Sequence, residues 1–219
     1  MALNKLKYNS LNVTPAANKA ISFDSDPDAL EATLEGGAMT FIKKLTASSS
    51  GTLSFVDGSS SVVLDNTYKE YIFIFNNMHP ATDDVKFTFQ LSIDSGSNYN
   101  VTMTTTTFNS IHAESGSESG LSYQSGLDQA QGTSFQNLTN RLGGDNDQSA
   151  SGYLHLLNPS STTFVKHFIA TLNIGHYQDY SSNDFTAGYG NTTSAVDAVQ
   201  FKMSSGNIDA GDICLYGIL

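Results

Sequence analysis

Apolar residues fall at every second position through most of the chain from Met39 onward, and that spacing limits the possible folds more than any other feature. In VKFTFQLSI, the residues Val85, Phe87, Phe89, Leu91 and Ile93 alternate with Lys86, Thr88, Gln90 and Ser92. This is the period of a strand with one buried and one wet face. YIFIF (Tyr71 to Phe75) is apolar at both parities and reads as a central strand covered on each side. GTLSFVDG sets Leu53 and Phe55 on one face and closes on Asp57-Gly58, a turn signal. MTFIKKL, YNVTMTTTTF, GYLHLL, TFVKHFIATLNI, AVQFKM and DICLYGI bring the set to about nine or ten strands. The Thr104 to Thr107 run favours strand over helix because β-branched side chains are stiff at χ1. Strands do not alternate with long helical patterns, which argues against a parallel α/β sheet. The expected fold is all-β: an antiparallel β-sandwich, jelly-roll-like, with an extended N-terminal arm and a short helix.

The first 37 residues differ from the rest. Pro15 and Pro27 interrupt any long helix, and the apolar residues Leu3, Leu6, Leu11, Val13 and Ile21 have little core of their own to enter. They read as a candidate assembly arm that buries itself on a neighbouring subunit. DSDPDALEATLEGG, with Asp26-Pro27-Asp28 at its start and Gly36-Gly37 at its end, bounds the expected short helix. The arm is therefore 1–37 and the sandwich 38–219, with a long polar insertion at about 110–151. Leu121, Tyr123, Leu127, Phe135, Leu138 and Leu142 are placed to pin that insertion onto the sandwich as an ordered elaboration. HYQDYSSNDFTAGYGNTTS reads as a second polar excursion. Its Tyr177, Tyr180, Phe185 and Tyr189 are the candidate surface-recognition residues, since aromatics among Ser, Gly and Asn combine rigid contact area with adaptable hydrogen bonding.

Composition excludes several function classes. The formal charge is −11 with a single arginine, Arg141, and such a surface repels phosphate backbones, so no nucleic-acid partner is expected. No apolar stretch is long enough for a membrane helix, so no membrane insertion is expected. MALNKLKYNSLNVT lacks the continuous apolar core of a signal peptide and reads as part of the mature protein. The lone cysteine, Cys214, sits in a strand-like run as a small packed residue. Thirteen Phe and ten Tyr supply ample core material and argue against disorder.

Catalytic signals are weak. No G-x-S-x-G elbow, H-E-x-x-H or Walker A loop is present, and GSESG carries Glu118 where the elbow needs its serine. The histidines His79, His112, His155, His167 and His176 fall in separate segments. Asp24, Asp26, Asp28 and Glu35 match EF-hand ligand positions, but Ala29 stands where the loop needs glycine. GGDNDQS (Gly143 to Ser149) is a second acidic loop of that general kind. No catalytic residue, cofactor or metal is expected.

The C-terminal AVDAVQFKMSSGNIDAGDICLYGIL, together with IKKLTASSSGTLSFVDG and YKEYIFIFNNMHPATDDVKFTFQLSIDSGSNYN, resembles virion structural proteins of tailed bacteriophages, especially marine ones. The resemblance implies a non-enzymatic virion protein displayed on the particle as a tail-fibre or receptor-binding component, with capsid decoration as the alternative. It implies a homotrimer and, as partners, other virion proteins (a tail or major capsid protein) and a host surface glycan. A carbohydrate-binding module is a second alternative, weakened by the absence of tryptophan.

Overall fold

The computed structural model describes residues 38–219 in full, together with the backbone of Ser22–Phe23 and Leu30–Glu31. The chain divides into two compact units, Met1–Ala38 and Met39–Leu219. In the first, β1 (Ser22–Phe23) and β2 (Leu30–Glu31) pair antiparallel, with Ser22 opposite Glu31 and Phe23 opposite Leu30. Leu30 and Glu31 belong to the stretch expected to be helical and are extended instead. Cross-strand pairing with Ser22 and Phe23 takes up their backbone hydrogen bonds in place of a helical turn. The rest of the expected helix, the Asp24 to Glu35 acidic pattern and the arm residues Leu3, Leu6, Leu11, Val13 and Ile21 lie outside the described residues.

The second unit holds thirteen strands. They are β3 (Met39–Thr46), β4 (Leu53–Val56), β5 (Glu70–Pro80), β6 (Phe87–Ser92), β7 (Met103–Ala113), β8 (Ser119–Tyr123) and β9 (Ala130–Gly132), followed by β10 (Gln136–Asn137), β11 (Ala150–Leu157), β12 (Lys166–His176), β13 (Tyr180–Gly190), β14 (Ala198–Met203) and β15 (Ile208–Ile218). All pairings are antiparallel, and no helix occurs among the described residues. A nine-stranded sheet runs β3-β15-β5-β11-β12-β13-β7-β8, with β9 also on β7, and a four-stranded sheet runs β10-β6-β14-β4.

The sheets meet through aromatic rings, as the alternation requires. Phe201 of the small sheet lies 5.3 Å from both Phe73 and Phe75 of the large one, centre to centre, and also touches Phe55, Phe87 and Phe89. Phe89 packs edge-on against Phe168 at 4.9 Å. Gly206, with φ +69°, lies in the turn between β14 and β15. That turn carries the chain from the small sheet to the large one. At Gly217 the Tyr68 ring lies 2.3 Å from where a Cβ would stand, so only glycine fits there.

Three expectations need correcting. The 176–194 stretch is not a loop: Tyr180–Gly190 is a full strand between β12 and β7. Its polar alternation misleads because Ser182, Asp184 and Thr186 point inward and are fully or almost fully buried, held by side-chain hydrogen bonds. VKFTFQLSI has no wet face, because residues 87–92 are all buried. The segment around Thr133 and Ser134 lies over it and accepts hydrogen bonds from Gln90 Nε2 at 3.1 and 2.9 Å. YIFIF shows the reverse, for Tyr71, Phe73 and Phe75 are buried while Ile72 and Ile74 remain partly exposed. Within 110–151, Leu127, Leu138 and Leu142 are buried and Phe135 is partly buried, whereas Leu121 and Tyr123 stay exposed.

Candidate functional site

The structure separates the four candidate recognition residues into two pairs. Tyr177 and Tyr180 stand at the turn between β12 and β13, while Phe185 and Tyr189 lie within β13 on the outer face of the large sheet.

The turn is tight: Asp179 N donates to His176 O at 2.9 Å, and Asp179 takes φ +58°. This geometry stacks the rings. His176, the buried last residue of β12, lies parallel to Tyr180 with centres 5.2 Å apart and tilted against Tyr177 at 4.9 Å. Arg141 holds its guanidinium over Tyr177, 4.1 Å from the ring centre, a cation–π arrangement. Its Nε and Nη2 donate to Asp84 Oδ1 and Oδ2 at 2.8 and 2.7 Å. At the other end Tyr180 Oη donates to Glu118 Oε2 at 2.9 Å. The ladder Asp84–Arg141–Tyr177–His176–Tyr180–Glu118 thus joins the β5–β6 connection, the long insertion, the β12–β13 turn and the β7–β8 turn.

The charges follow from these contacts. The paired Arg141 holds the Asp84 carboxyl below its usual range, and hydrogen bonding to Glu118 raises the Tyr180 hydroxyl. Burial, reinforced by Arg141, lowers His176. Its Nδ1 accepts from Gln178 N at 3.2 Å, which suits the neutral ring.

Beside the ladder opens a polar notch of about 270 Å³. The Glu114, Asp147 and Asp179 carboxylates, Gln148, Ser151, Asn173 and the edges of His176 and Tyr180 line it. Gln148 is fixed there by its side-chain Nε2, which donates to His176 O at 3.1 Å, and by its backbone carbonyl, which stands 2.7 Å from His79 Nδ1. Carboxylates and amides beside an aromatic edge can hydrogen-bond a polyol, accepting from hydroxyls and donating to them. Of the Gly143 to Ser149 acidic loop, Asp147 lines this notch while Gly144 N donates to Asp83. Among the described residues, no group of three His, Cys, Asp or Glu side chains is gathered to hold a metal ion.

Phe185 and Tyr189 belong to a different surface. One cross-strand row of the outer face reads Phe41, Tyr216, Ile72, His155, Ile169, Ala187 and Thr106. The next reads Lys44, Cys214, Ile74, Tyr153, Thr171, Phe185, Phe108 and Tyr123. Phe41 (55 %), Ile169 (49 %), Tyr153 (43 %) and Phe108 (41 %) are conspicuously exposed for residues in sheet interior rows. Phe108 and Phe185 stack at 4.8 Å, and Phe41 meets Tyr216 edge-on at 5.5 Å. Two apolar furrows cross the face, one of about 610 Å³ between Thr104, His167, Ile169 and Tyr189, the other of about 420 Å³ along Ile72, Ile74 and Tyr153. At one end the face turns polar, with Ser151, Asn173, Asn183 and Ser110 in register.

Of the ladder, sequence reasoning finds Tyr177 and Tyr180 and misses Arg141, His176, Glu118 and Asp84. The available signal was Arg141 itself, a lone guanidinium in a chain poor in charge. No helix among the described residues is long and apolar enough to cross a membrane. In comparisons with protein-family models, curated proteins and solved structures, the chain finds no match.

Proposed function

We propose that this chain is a non-enzymatic virion structural protein of a tailed phage, displayed on the particle surface as a tail-fibre or receptor-binding component. The C-terminal resemblance supplies the class, and the observation that carries the recognition role is the ladder and its notch at one end of the large sheet. There, polar and aromatic groups from four chain segments converge on a concavity of sugar-like chemistry. A host surface glycan is the ligand of this reading, because its hydroxyls match carboxylate and amide partners and its apolar ring faces match tyrosine.

The reading includes a jelly-roll-like sandwich, homotrimeric assembly and an arm at residues 1–37 that joins a tail or major capsid protein. Capsid decoration is the second reading, favoured by the breadth of the apolar sheet face, which suits packing against protein more than against sugar. The test of recognition is retention of the purified chain on host cells and on their isolated surface polysaccharide. Wild type should bind, and Tyr180→Ala and Asn173→Ala should weaken binding about tenfold or more. Equal binding by wild type and both variants would place recognition elsewhere.

A further inference from the structure

We infer that the outer face of the nine-stranded sheet is the surface through which copies of this chain associate in solution. The face is continuous across strands from β3 to β7, and its rows through Ile72 and Ile74 are mainly apolar, interrupted by Lys44, His155, Thr171 and Thr106. Seven strands at about 4.8 Å and three cross-strand rows at about 6.8 Å, the third passing through Met39, Ile218, Glu70, His167, Tyr189 and Thr104, give roughly 700 Å² of sheet, polar positions included, against the ~800 Å² that each partner buries in a standard interface. Contiguous apolar patches of a few hundred Å² on such a face mark interaction surfaces.

Charge selects the partner. The chain carries −11, so two copies repel unless they meet where charge is sparse. Here the charged residues of the central rows are Lys44 and Glu70, and each already faces a group of its own chain. Lys44 Nζ donates to Asp212 at 3.1 Å, and Glu70 stands 2.9 Å from His155 Nε2. A basic partner would find no acidic field to dock against, and an acidic one no lysine cluster. Another copy of the same sheet offers what the face does match: a pleated surface whose Ile169, Tyr153 and Phe108 fill the furrows beside Tyr189 and Ile74. Sheets pack face to face in this way inside sandwiches; here a further layer comes from a neighbour related by a two-fold axis, a pairing separate from the homotrimeric assembly proposed above.

The test is sedimentation velocity of the full-length chain over a concentration series, which needs no particle and no ligand. Wild type should sediment as an oligomer that dissociates on dilution. Ile169→Glu at the centre of the face should weaken association about a hundredfold or more, because an unpaired charge would be buried between the copies. Thr171→Glu, at a position already polar and half-exposed, reads the same effect should Ile169→Glu fail to fold. Phe164→Glu replaces a comparably exposed aromatic off the strands and should leave association unchanged. A wild-type monomer at every concentration would overturn the inference. So would an oligomer that both sheet-face variants leave intact.

Discussion

The molecule has two outward sheet faces, and they are built on opposite terms. Behind the four-stranded sheet lie Ser54, Thr88, Gln90, Ser92, Gln200 and Lys202, a polar set that the chain itself satisfies. Gln200 Nε2 donates to Ser54 Oγ at 2.9 Å, Thr88 Oγ1 to Lys202 O at 2.9 Å and Ser92 Oγ to Asp94 Oδ1 at 2.7 Å. Lys202 lies over the Phe135 ring at 4.3 Å, and the insertion caps Gln90. Behind the nine-stranded sheet lie Ile72, Ile74, Tyr153, Ile169, Phe185 and Phe108, apolar and in large part bare. Polar side chains can be finished within one chain because hydrogen bonds close locally. An apolar face is finished only by another surface. Of the insertion at 110–151, the segment around Thr133 and Ser134 covers the polar sheet. By contrast, β8 and β9 only extend the large sheet at its edge beside β7 and leave the central apolar rows uncovered by described residues.

The contrast can be broken or sharpened by substitution. The largest effect is expected between the faces, where Phe201 touches five other phenylalanines: Phe201→Ala should lower unfolding free energy by about 3–5 kcal/mol in urea. Next comes the polar interior beneath β13. Asp184 is fully buried and accepts from Asn140 N at 2.6 Å and Ser182 Oγ at 2.8 Å. Asp184→Leu leaves those donors unmet and should cost about 1–3 kcal/mol, whereas Asp184→Asn keeps an acceptor and should cost far less.

Asp184 also gives the fold a pH signature. Burial raises its pKa above 3.8, so the folded state holds its proton more tightly than the unfolded chain does. Its neutral form is favoured in the fold, and its contribution to stability falls as pH rises from 3.8 through the elevated folded value. Asp184→Asn should flatten that part of the stability–pH curve, and a curve with unchanged slope would show that Asp184 titrates as it does in the unfolded chain.

The smaller effects separate the two faces directly. Gln90→Ala on the covered face should cost about 1–2 kcal/mol and loosen the Thr133–Phe135 segment, seen as faster amide exchange there. Ile169→Ser on the bare face, measured in dilute monomer, should change stability by no more than about 0.5 kcal/mol. Equal losses at the two positions would mean that the faces do not differ as described.

Much of this architecture is legible in the sequence. Period-2 alternation identifies β4, β6, β11, β12, β14 and β15 because their inward residues are Leu, Phe, Ile and Val. It fails at β13, where the inward residues are Ser182, Asp184 and Thr186, and burial there rests on partners from β7 and the insertion. It also misjudges what covers a strand. Ile72 and Gln90 look like a buried and a wet residue respectively, yet among the described residues Gln90 is fully covered and Ile72 only in part. Coverage is decided by where distant segments go, which no local pattern records. The ladder has the same character: Tyr177 and Tyr180 stand out in their turn, but their meeting with Arg141, Asp84 and Glu118 depends on four connections converging at one end of the sheet.

The proposed virion role is tested most directly by immunogold labelling of intact tailed-phage particles with antibody against this chain. A receptor-binding component predicts gold at the tail. Gold spread over the head would contradict that assignment in favour of capsid decoration, and virions that carry no gold would contradict a virion surface role altogether.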